Sequence, residues 1–478
     1  MNFNSENISN YFRHKALTDI RFWIVLFFIL RLYGITNAPL EVAHNWRQAD
    51  GDMVARNFYE IDNNILYPRL DMAGEKTGIT GTEFPILNYL MYLVSLVFGF
   101  HDWFGRLIVL IISSFGTLYF YKILKLKFDE RLSFYSAFLL LTSMWLMYSR
   151  KVMPDTFSVS LVVISLYFAF RYFKNTKWLD LFTYFIFVTI GVLSKIPAAY
   201  LLVVLLFPLL DSSIKIKQKC WIALITGVMF LPVCWWYFYW VPYLVNHFGY
   251  WHYYMGTSFV NGFHEIRSNL GQTAHKFIFE ALKFIGFTAF MFGLIVASIK
   301  KEKAILMILF VCSISFSILM LKAGFNFPHH SYYVIPFVPI MCLIAAYGLT
   351  QIKKQWIQTL LLWAIATENI ADQQHDFRIK ESEKYKLSME PIADLVTDKN
   401  ALFVINGGSG PQQIYFLHRK GWTVDTDMLT DSTYINYLRE HDCKYLFINK
   451  RNGVPSKRIE GVGRIVYNDI NFVIYKFE

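Results

Sequence analysis

Charged residues are scarce in this chain. Asp, Glu, Lys and Arg make up 17% of its 478 residues, against about a quarter in soluble globular domains. Hydrophobic residues reach 55%, and the mean hydropathy is +0.35. Many apolar runs approach the roughly 20 residues that a helix needs to cross a bilayer. The composition therefore excludes an ordinary soluble protein and predicts an all-α polytopic membrane region, since a helix pairs its own backbone groups within lipid.

Cysteine is also rare, and its distribution excludes a disulfide framework. Four of the five cysteines fall in or beside apolar segments, and only Cys443 lies in a clearly polar region. This pattern offers neither disulfide pairs nor the ligand spacing of a zinc site. The sequence also lacks an internal repeat, which the symmetric halves of many transporters would produce.

Basic residues are in excess, with a formal net charge of +11. We exclude nucleic acid as a partner, because Lys and Arg fall mostly in short loops between apolar runs, where they indicate membrane orientation. The apolar residues 84–100 decide that orientation. If they lie in the interface, every strongly basic short loop falls on the cytoplasmic side with the N-terminus. If they span the membrane, all of these loops fall outside, against the positive-inside rule.

The apolar runs predict about eleven spanning helices in the plasma (inner) membrane, with a cytoplasmic N-terminus and an extracytoplasmic C-terminus. We expect the spans near residues 21–35, 107–121, 132–149, 157–173, 179–194, 197–210, 220–238, 283–299, 304–321, 332–350 and 356–369. Residues 1–369 form the membrane domain in this interpretation, with a first outer loop at residues 37–105. Residues 370–478 form a soluble extracytoplasmic domain.

The predicted soluble domain has the pattern of a small α/β fold. Strand-like runs at residues 401–405, 444–448 and 472–477 alternate with helix-like runs at 412–419 and 433–440. About 100 residues are enough for such a domain to build its own core.

The segment between residues 37 and 85 is polar and dense in acids, bases and aromatics. Two of its acids, Asp50 and Asp52, stand between Arg47 and Arg56. In a membrane protein such a loop is the natural place for chemistry, so either acid is a candidate general base. The alternative is that one of them caps a short helix at residues 51–59.

Further ionisable residues fall at the outward ends of the predicted spans, where they are energetically costly and often functional. They are Arg150, Lys151, Asp155, Lys195, His329 and His330. Asp155 follows a proline and suits a helix N-terminus whatever its function. Lys195 also suits the headgroup region as a boundary lysine. The histidine pair favours phosphate or water over a metal, since metal sites need more ligands.

These motifs together resemble a known group of membrane enzymes. The matching sequences are Arg-Gln-Ala-Asp at 47–50, Ala-Arg-Asn at 55–57, Gly-Thr-Glu-Phe-Pro at 81–85, Gly-Arg-Leu at 105–107, Ser-Arg-Lys at 149–151, Pro-Asp at 154–155, Leu-Ser-Lys-Ile-Pro at 193–197 and the His-rich Tyr-Tyr start of the tenth span. Their order over roughly the first 350 residues resembles GT-C glycosyltransferases of the protein O-mannosyltransferase and aminoarabinose-transferase type, glycosyltransferase family 39. The chain departs from the family at Arg47, where an acid is usual, and at Phe84, which replaces a lysine.

The resemblance implies transfer of a sugar from a polyprenyl-phosphate carrier to an acceptor on the extracytoplasmic face, with inversion. Asp50, or else Asp52, would accept the proton of the acceptor hydroxyl. The cations expected to stabilise the departing phosphate are Arg150, Lys195 and His329 or His330.

The resemblance gives Asp155 three candidate roles. It would orient one of these cations, hold a divalent metal or position the acceptor. The other residues expected to bind substrate are Arg47, Arg56, Glu83, Lys151 and Tyr332. No cofactor is required for certain, and the acceptor stays open between a lipid, a glycan and a protein.

Two other functions stay open on the sequence. A transporter or flippase of lipid-linked sugars would show symmetric halves and charges at the bilayer midplane. A polysaccharide polymerase or ligase would use large outer loops rich in Arg and His, without an early loop that carries acids.

The predicted topology is testable with reporter fusions. Alkaline phosphatase fused after residue 478 should be active, because the C-terminus is expected outside. The same reporter fused after Lys125, in a loop expected in the cytoplasm, should be inactive. The reverse pattern of activities would contradict the topology.

Overall fold

The computed structural model describes residues 17–250, 256–455 and 462–478. Arg13 and Lys15, basic residues before the first predicted span, lie outside this range, as do the last residues of an interfacial segment rich in Trp and Tyr at 235–254. The chain forms two compact units. We call Met1–Ile35, Arg106–Trp236 and Tyr254–Phe377 the membrane unit, and Thr36–Gly105, Tyr237–Tyr253 and Arg378–Glu478 the loop unit.

The α-helices of the membrane unit come from its three segments. They are α1 Ile20–Leu30, α4 Phe104–Leu124, α5 Glu130–Thr142, α6 Trp145–Tyr148, α7 Pro154–Asn175, α8 Trp178–Ser194, α9 Leu206–Leu210, α10 Ile216–Cys234, α12 Phe259–Ser268, α13 Leu270–His275, α14 Lys283–Lys300, α15 Lys303–Ala323, α16 Asn326–His329, α17 Val338–Thr350 and α18 Gln355–Gln373. Tighter 3₁₀ turns cover Ile196–Leu205, Ser331–Phe337 and Gln374–Phe377, and Lys276–Ala281 is a π-helix. A further π-helix, Trp235–Trp240, follows α10.

Within the described residues, six helices are long and apolar enough to cross a membrane, and four apolar helices are shorter. The chain is an integral membrane protein, whereas the count of about eleven spans stays a prediction. The interfacial segment of the sequence analysis contains α3, Ile86–Phe98, in the loop unit. Its 13 residues extend about 20 Å, which is shorter than a hydrocarbon core of about 30 Å.

Two glycines allow α14 and α17 to pack closely within the membrane unit. A Cβ atom added at Gly293 would lie 2.0 Å from the carbonyl oxygen of Ile344, and one added at Gly348 would lie 2.7 Å from Cα of Gly293. Small residues are common at such crossings, because helix association in lipid depends on close backbone packing.

The loop unit contains a five-stranded sheet in the order β2-β1-β3-β5-β4. The strands are β1 Leu402–Ile405, β2 Gly421–Thr423, β3 Cys443–Asn449, β4 Ile465–Asn468 and β5 Phe472–Lys476. β1 pairs in parallel with β2 and β3, whereas β5 pairs antiparallel with β3 and β4. The helices of this part are α19 Met389–Val396, α20 Gln412–Leu417 and α21 Ser432–Glu440, with 3₁₀ turns at Glu381–Ser388, Thr426–Thr430 and Lys450–Asn452.

Helix α2, Asn45–Glu60, α3 and the short helix α11, Val241–Phe248, also belong to the loop unit. One hydrophobic core joins α2 to the C-terminal sheet. Buried Met53 and Phe58 of α2 pack in the same cluster as Phe403, Ile414 and Phe447. The first outer loop and residues 378–478 are therefore parts of one folded body, whereas the predicted domain boundary at 369/370 stays a prediction.

The contact between α14 and α17 predicts the effect of an added methyl group. Gly293→Ala should lower the stability of the protein by about 1–3 kcal/mol, because the Ile344 carbonyl cannot move away without bending α17. The thermal unfolding midpoint in detergent measures this. Gly227→Ala in α10 is the matched control, since apart from the adjacent backbone of α10 itself no atom of the described residues lies within 4 Å of its added Cβ. Equal midpoints for the two variants would contradict the packing argument.

Candidate functional site

Helix α2 carries both acids singled out in the sequence. It begins at Asn45 after His44, whose φ of 54° places that residue in the left-handed region. The helix therefore starts six residues before the predicted start at residue 51. Asp50 and Asp52 lie inside the helix, so the interpretation of either as a helix cap is wrong. Both are buried, with 4% and 0% of their surface exposed.

Asp50 belongs to a charged cluster in the loop unit. Arg47, one turn earlier on the same face of α2, places Nη1 3.8 Å from Oδ2 of Asp50. The other terminal nitrogen of Arg47 donates to Oε1 of Glu83 at 2.6 Å. The guanidinium of Arg47 therefore faces two carboxylates. Burial, and then the charge of Asp50, raise the pKa of Tyr250 above its usual range, so a neutral phenol lies near this acid.

Asp52 lies on a different face of α2, because two residues turn a helix by about 200°. Burial, and then the charges of Asp102 and Asp52, raise the pKa of Tyr415 well above its usual value. The phenol therefore stays protonated and can donate. Asp50 and Asp52 thus act on different tyrosines of the loop unit, and Asp50 is paired with Arg47.

Arg56 has contacts that hold α2 in place. Its Nη2 donates to Oδ2 of Asp71 at 2.8 Å, and its Nη1 donates to the carbonyl of Tyr415 at 3.1 Å. Asn57 donates to the other oxygen of Asp71 at 2.9 Å. The predicted role of Arg56 in substrate binding stays a prediction beside this structural role.

A second cluster lies in the membrane unit, around a pocket. Lys195 Nζ and Asp155 Oδ1 are 2.6 Å apart, and both side chains are almost fully buried. Lys195 Nζ also lies 4.8 Å from the ring centroid of Tyr332 and 5.8 Å from that of Tyr333. The residues that line the pocket are Asp155, Ser158, Val159, Lys195, Pro197, Ala198, Tyr332, Tyr333 and Pro336.

The local sequence explains why the pair forms. Pro154 is the first residue of α7, so Asp155 lies in its first turn, where a carboxylate is favoured by the helix dipole. Lys195 follows α8 in an extended conformation. Ser158 of α7 donates to the carbonyl of Gly191 at 2.7 Å and to that of Lys195 at 3.1 Å. Lys195 is thus buried against α7 instead of reaching outward as a boundary lysine.

Arg150 and Lys151 bind backbone carbonyls in the membrane unit. Arg150 donates to the carbonyls of Tyr33 at 2.8 Å and Gly34 at 2.9 Å, and its guanidinium lies 4.6 Å from the ring centroid of Phe377. Lys151 Nζ donates to the carbonyl of Asp376 at 2.9 Å.

His329 is the last residue of α16, His330 follows it, and the two histidines differ in exposure. His329 is exposed and its ring lies 4.1 Å from that of Phe325, whereas His330 is half-buried and stacks on Tyr332 at 5.3 Å. His330 is therefore linked through Tyr332 to the wall of the pocket.

Sequence reasoning did not select two buried arginines of the membrane unit. Arg31 Nε donates to the carbonyl of Phe27 at 2.9 Å, and Arg31 also donates to Ser149. Arg106 donates to the carbonyl of Ile35 at 3.2 Å. Each arginine lies beside an apolar run in the sequence, and this position could have indicated a buried functional residue. The same position ordinarily indicates the orientation of a membrane span, so it did not single out Arg31 or Arg106.

Among the described residues, no group of three or more His, Cys, Asp or Glu side chains is placed to hold a metal ion. Metal dependence therefore stays untested. Asp155, the candidate ligand in the sequence, is paired with Lys195.

Comparison with known proteins gives matches in fold and in part of the sequence. Residues 82–240 match the family described as dolichyl-phosphate-mannose-protein mannosyltransferase. ArnT from Cupriavidus metallidurans in the apo state is 12% identical, with a TM-score of 0.58 over 95% of this chain and 97% of that one. ArnT bound to undecaprenyl phosphate gives a TM-score of 0.60 at 12% identity, covering 95% and 98%. The oligosaccharyltransferase of Archaeoglobus fulgidus in the apo form gives 0.55 at 12% identity, covering 96% and 74%.

The chain has the GT-C fold. This confirms the resemblance read from the motifs, and the GT-C match extends beyond the first 350 residues into the C-terminal part. No curated protein sequence matches the chain.

In this GT-C chain, His418 links α2 to the C-terminal part of the loop unit. Its Nδ1 lies 2.6 Å from Oε1 of Glu390, and its Nε2 lies 2.9 Å from Oε2 of Glu60. The hydrogen bonds to Glu390 and Glu60 raise the pKa of His418 above 6.5. His418 in turn lowers the pKa of Glu390, and it lowers that of Glu60 although burial alone would raise it. Arg56 opposes the charge on the histidine.

These shifts predict a pH window for stability. His418 stabilises the folded protein fully below pH 6.5, and this stabilisation is lost as pH rises through its raised pKa. Glu60 and Glu390 stabilise the folded protein fully above pH 4.5, and this stabilisation is lost as pH falls through their lowered pKa values. His418→Asn, which tolerates the left-handed φ of 50°, should lower the thermal unfolding midpoint most between pH 4.5 and 6.5.

The expected difference is a few degrees at most, because both glutamates are more than one third exposed. The measurement is a series of thermal unfolding curves in detergent from pH 4 to 9. His441→Asn is the matched control, since His441 is a half-buried histidine of the same unit whose Nδ1 lies 2.8 Å from the carbonyl oxygen of Tyr437. A difference that grows above pH 8 would contradict the assigned pairing.

Proposed function

We propose that the protein is a membrane glycosyltransferase that moves a sugar from a polyprenyl-phosphate carrier to an acceptor on the extracytoplasmic face, with inversion. The GT-C fold and the family match at residues 82–240 support this class of reaction. The observation that carries the proposal is the buried carboxylate of Asp50, which α2 holds beside Arg47 and Glu83.

Asp50 is the base in this proposal, with Asp52 as the alternative. A base must accept a proton, so its carboxylate must be ionised before the reaction. Arg47 places Nη1 3.8 Å from Oδ2 of Asp50, so a positive charge faces the carboxylate that would accept the proton. Glu83 shares the same guanidinium, which limits how strongly Arg47 competes with the acceptor for the Asp50 oxygen.

Lys195 is the cation best placed to receive the negative charge of the leaving phosphate. Lys195 lines a pocket and forms an ion pair with Asp155. An anionic group in the pocket would replace Asp155 at Lys195 or bind Lys195 together with it. Arg150 and Lys151 are engaged with backbone carbonyls, so Lys195 and the histidine pair are expected to contribute more to phosphate binding.

The proposed step is a single displacement. The acceptor hydroxyl oxygen forms a bond to the anomeric carbon while the bond from that carbon to the phosphate oxygen breaks. The electron pair of the broken bond stays on the polyprenyl phosphate, and the hydroxyl proton moves to the Asp50 carboxylate. Asp155 holds Lys195 in this scheme or positions the acceptor, which is a lipid, a glycan or a protein.

The proposal predicts the effect of removing the base. Asp50→Asn keeps the size of the side chain but cannot accept the proton, so kcat should fall by about 10²–10⁴-fold. The assay uses purified protein in vesicles with a labelled polyprenyl-phosphate hexose and a crude envelope extract as the source of acceptor. Transfer of label and release of polyprenyl phosphate are both measured.

Glu75→Gln is the matched control, because Glu75 is an exposed acid of the same loop whose side chain has no part in the cluster. It should transfer at the wild-type rate. Full transfer by Asp50→Asn with loss in Asp52→Asn would assign the base to Asp52. Wild-type protein that moves labelled lipid across the vesicle without releasing polyprenyl phosphate would replace the enzyme by a transporter.

A further inference from the structure

Helix α20, in the C-terminal part of the loop unit, packs against α2, and Tyr415 of α20 makes three contacts. The ring of Tyr415 lies 4.5 Å below the guanidinium carbon of Arg56, and its carbonyl accepts from Arg56 at 3.1 Å. Its hydroxyl donates to Oδ1 of Asp102 at 2.5 Å. We propose that residues 378–478 position the helix that carries Asp50, and that Tyr415 is the positioning residue through which they do so. This inference rests on the proposed function.

Arg56 provides the first contact between α2 and Tyr415. It lies on α2, and its side chain is almost fully buried. A buried guanidinium needs partners for its charge and its donors. Asp71 supplies the carboxylate at 2.8 Å, and Tyr415 supplies both a carbonyl and a ring face. Moving α2 away from α20 would leave this charge buried with fewer partners, which fixes the rotation and the height of the helix.

Asp102 provides the second contact, with the hydroxyl of Tyr415. It lies between α3 and α4, at the start of the segment that leads into the membrane unit. The hydroxyl of Tyr415 joins this segment to α20 across 313 residues of sequence. Tyr415 is buried, and burial together with the charge of Asp102 keeps its phenol protonated. One side chain therefore connects the helix that carries the acids with the chain that precedes α4.

Two further contacts hold α2 close to Asp50. Asn88 of α3 donates to the carbonyl of Gly51 at 2.7 Å, and Met53 of α2 packs with Ile414 of α20 in one core. The helix is therefore held by α3 at the residue after Asp50 and by α20 two residues further along. The base needs to be held within a fraction of an ångström of the attacking hydroxyl, because small displacements cost large factors in rate.

An ordinary packing role is the alternative, in which Tyr415 only stabilises the fold of residues 378–478. The two roles differ in their consequences. A positioning residue lowers kcat and loosens α2 while the sheet stays intact. A residue that only stabilises the fold loosens the sheet as well, or changes neither activity nor α2.

Tyr415→Phe tests this most directly, because it removes only the hydroxyl and keeps the ring below Arg56. We expect kcat to fall about 10-fold with the KM for a labelled polyprenyl-phosphate hexose unchanged. Amide hydrogen exchange should become faster at residues 45–60 and stay slow in β1 and β3. Tyr445→Phe is the matched control, a buried tyrosine of β3 that stacks on Phe403 and should leave kcat and exchange unchanged.

A double-mutant cycle with Asp102→Ala decides whether the hydroxyl and the carboxylate act as one connection. Each single variant should lower kcat to a similar extent, and the double variant should lose no more than either. Additive losses would overturn the connection. Wild-type kcat with wild-type exchange in Tyr415→Phe, or faster exchange in β1 and β3 as well as α2, would overturn the positioning role. If the wild type transfers no sugar, the proposed function fails, and the exchange measurement still decides whether Tyr415 holds α2.

Discussion

The constraint on which this structure depends is the cost of burying charge in a chain that is mostly apolar. A buried ion without partners is strongly destabilising, and ionisable groups in membrane proteins are retained chiefly where they are paired or used. Each unit meets this constraint with short contacts: Arg56 and Asp71 at 2.8 Å and Arg47 and Glu83 at 2.6 Å in the loop unit, and Lys195 and Asp155 at 2.6 Å in the membrane unit.

Most of the helices and strands were predictable, because they follow from local patterns. Apolar runs marked the long helices of the membrane unit, although the predicted span 197–210 is mostly a 3₁₀ turn and 132–149 is divided between α5 and α6. Alternation with turn signals marked β1, β3 and β5 within a residue or two of their observed bounds. The strands β2 and β4 were missed, since three or four residues with little burial leave no periodic signal. The start of α2 was also missed, because its preceding residue is a left-handed histidine instead of a recognisable cap.

The candidate site was predictable in its composition but not in its connections. Charged residues in an apolar sequence stand out, which is why Asp50, Lys195 and their neighbours were selected from the sequence. The pairing of Arg56 with Tyr415 joins residues 359 positions apart, and no local pattern reports such a contact. For the same reason, the sequence did not indicate that α2 packs in one core with the C-terminal sheet.

We propose that the buried pair of Lys195 and Asp155 marks the place where a lipid phosphate binds. A cryo-electron microscopy structure of the protein in nanodiscs, with saturating polyprenyl phosphate, tests this claim most directly. We expect density for the phosphate in the pocket beside Tyr332, within about 3 Å of Lys195 Nζ, which is the distance of a charge-assisted hydrogen bond. A phosphate bound out of reach of Lys195 and the histidine pair, with Lys195 and Asp155 unchanged, would contradict it.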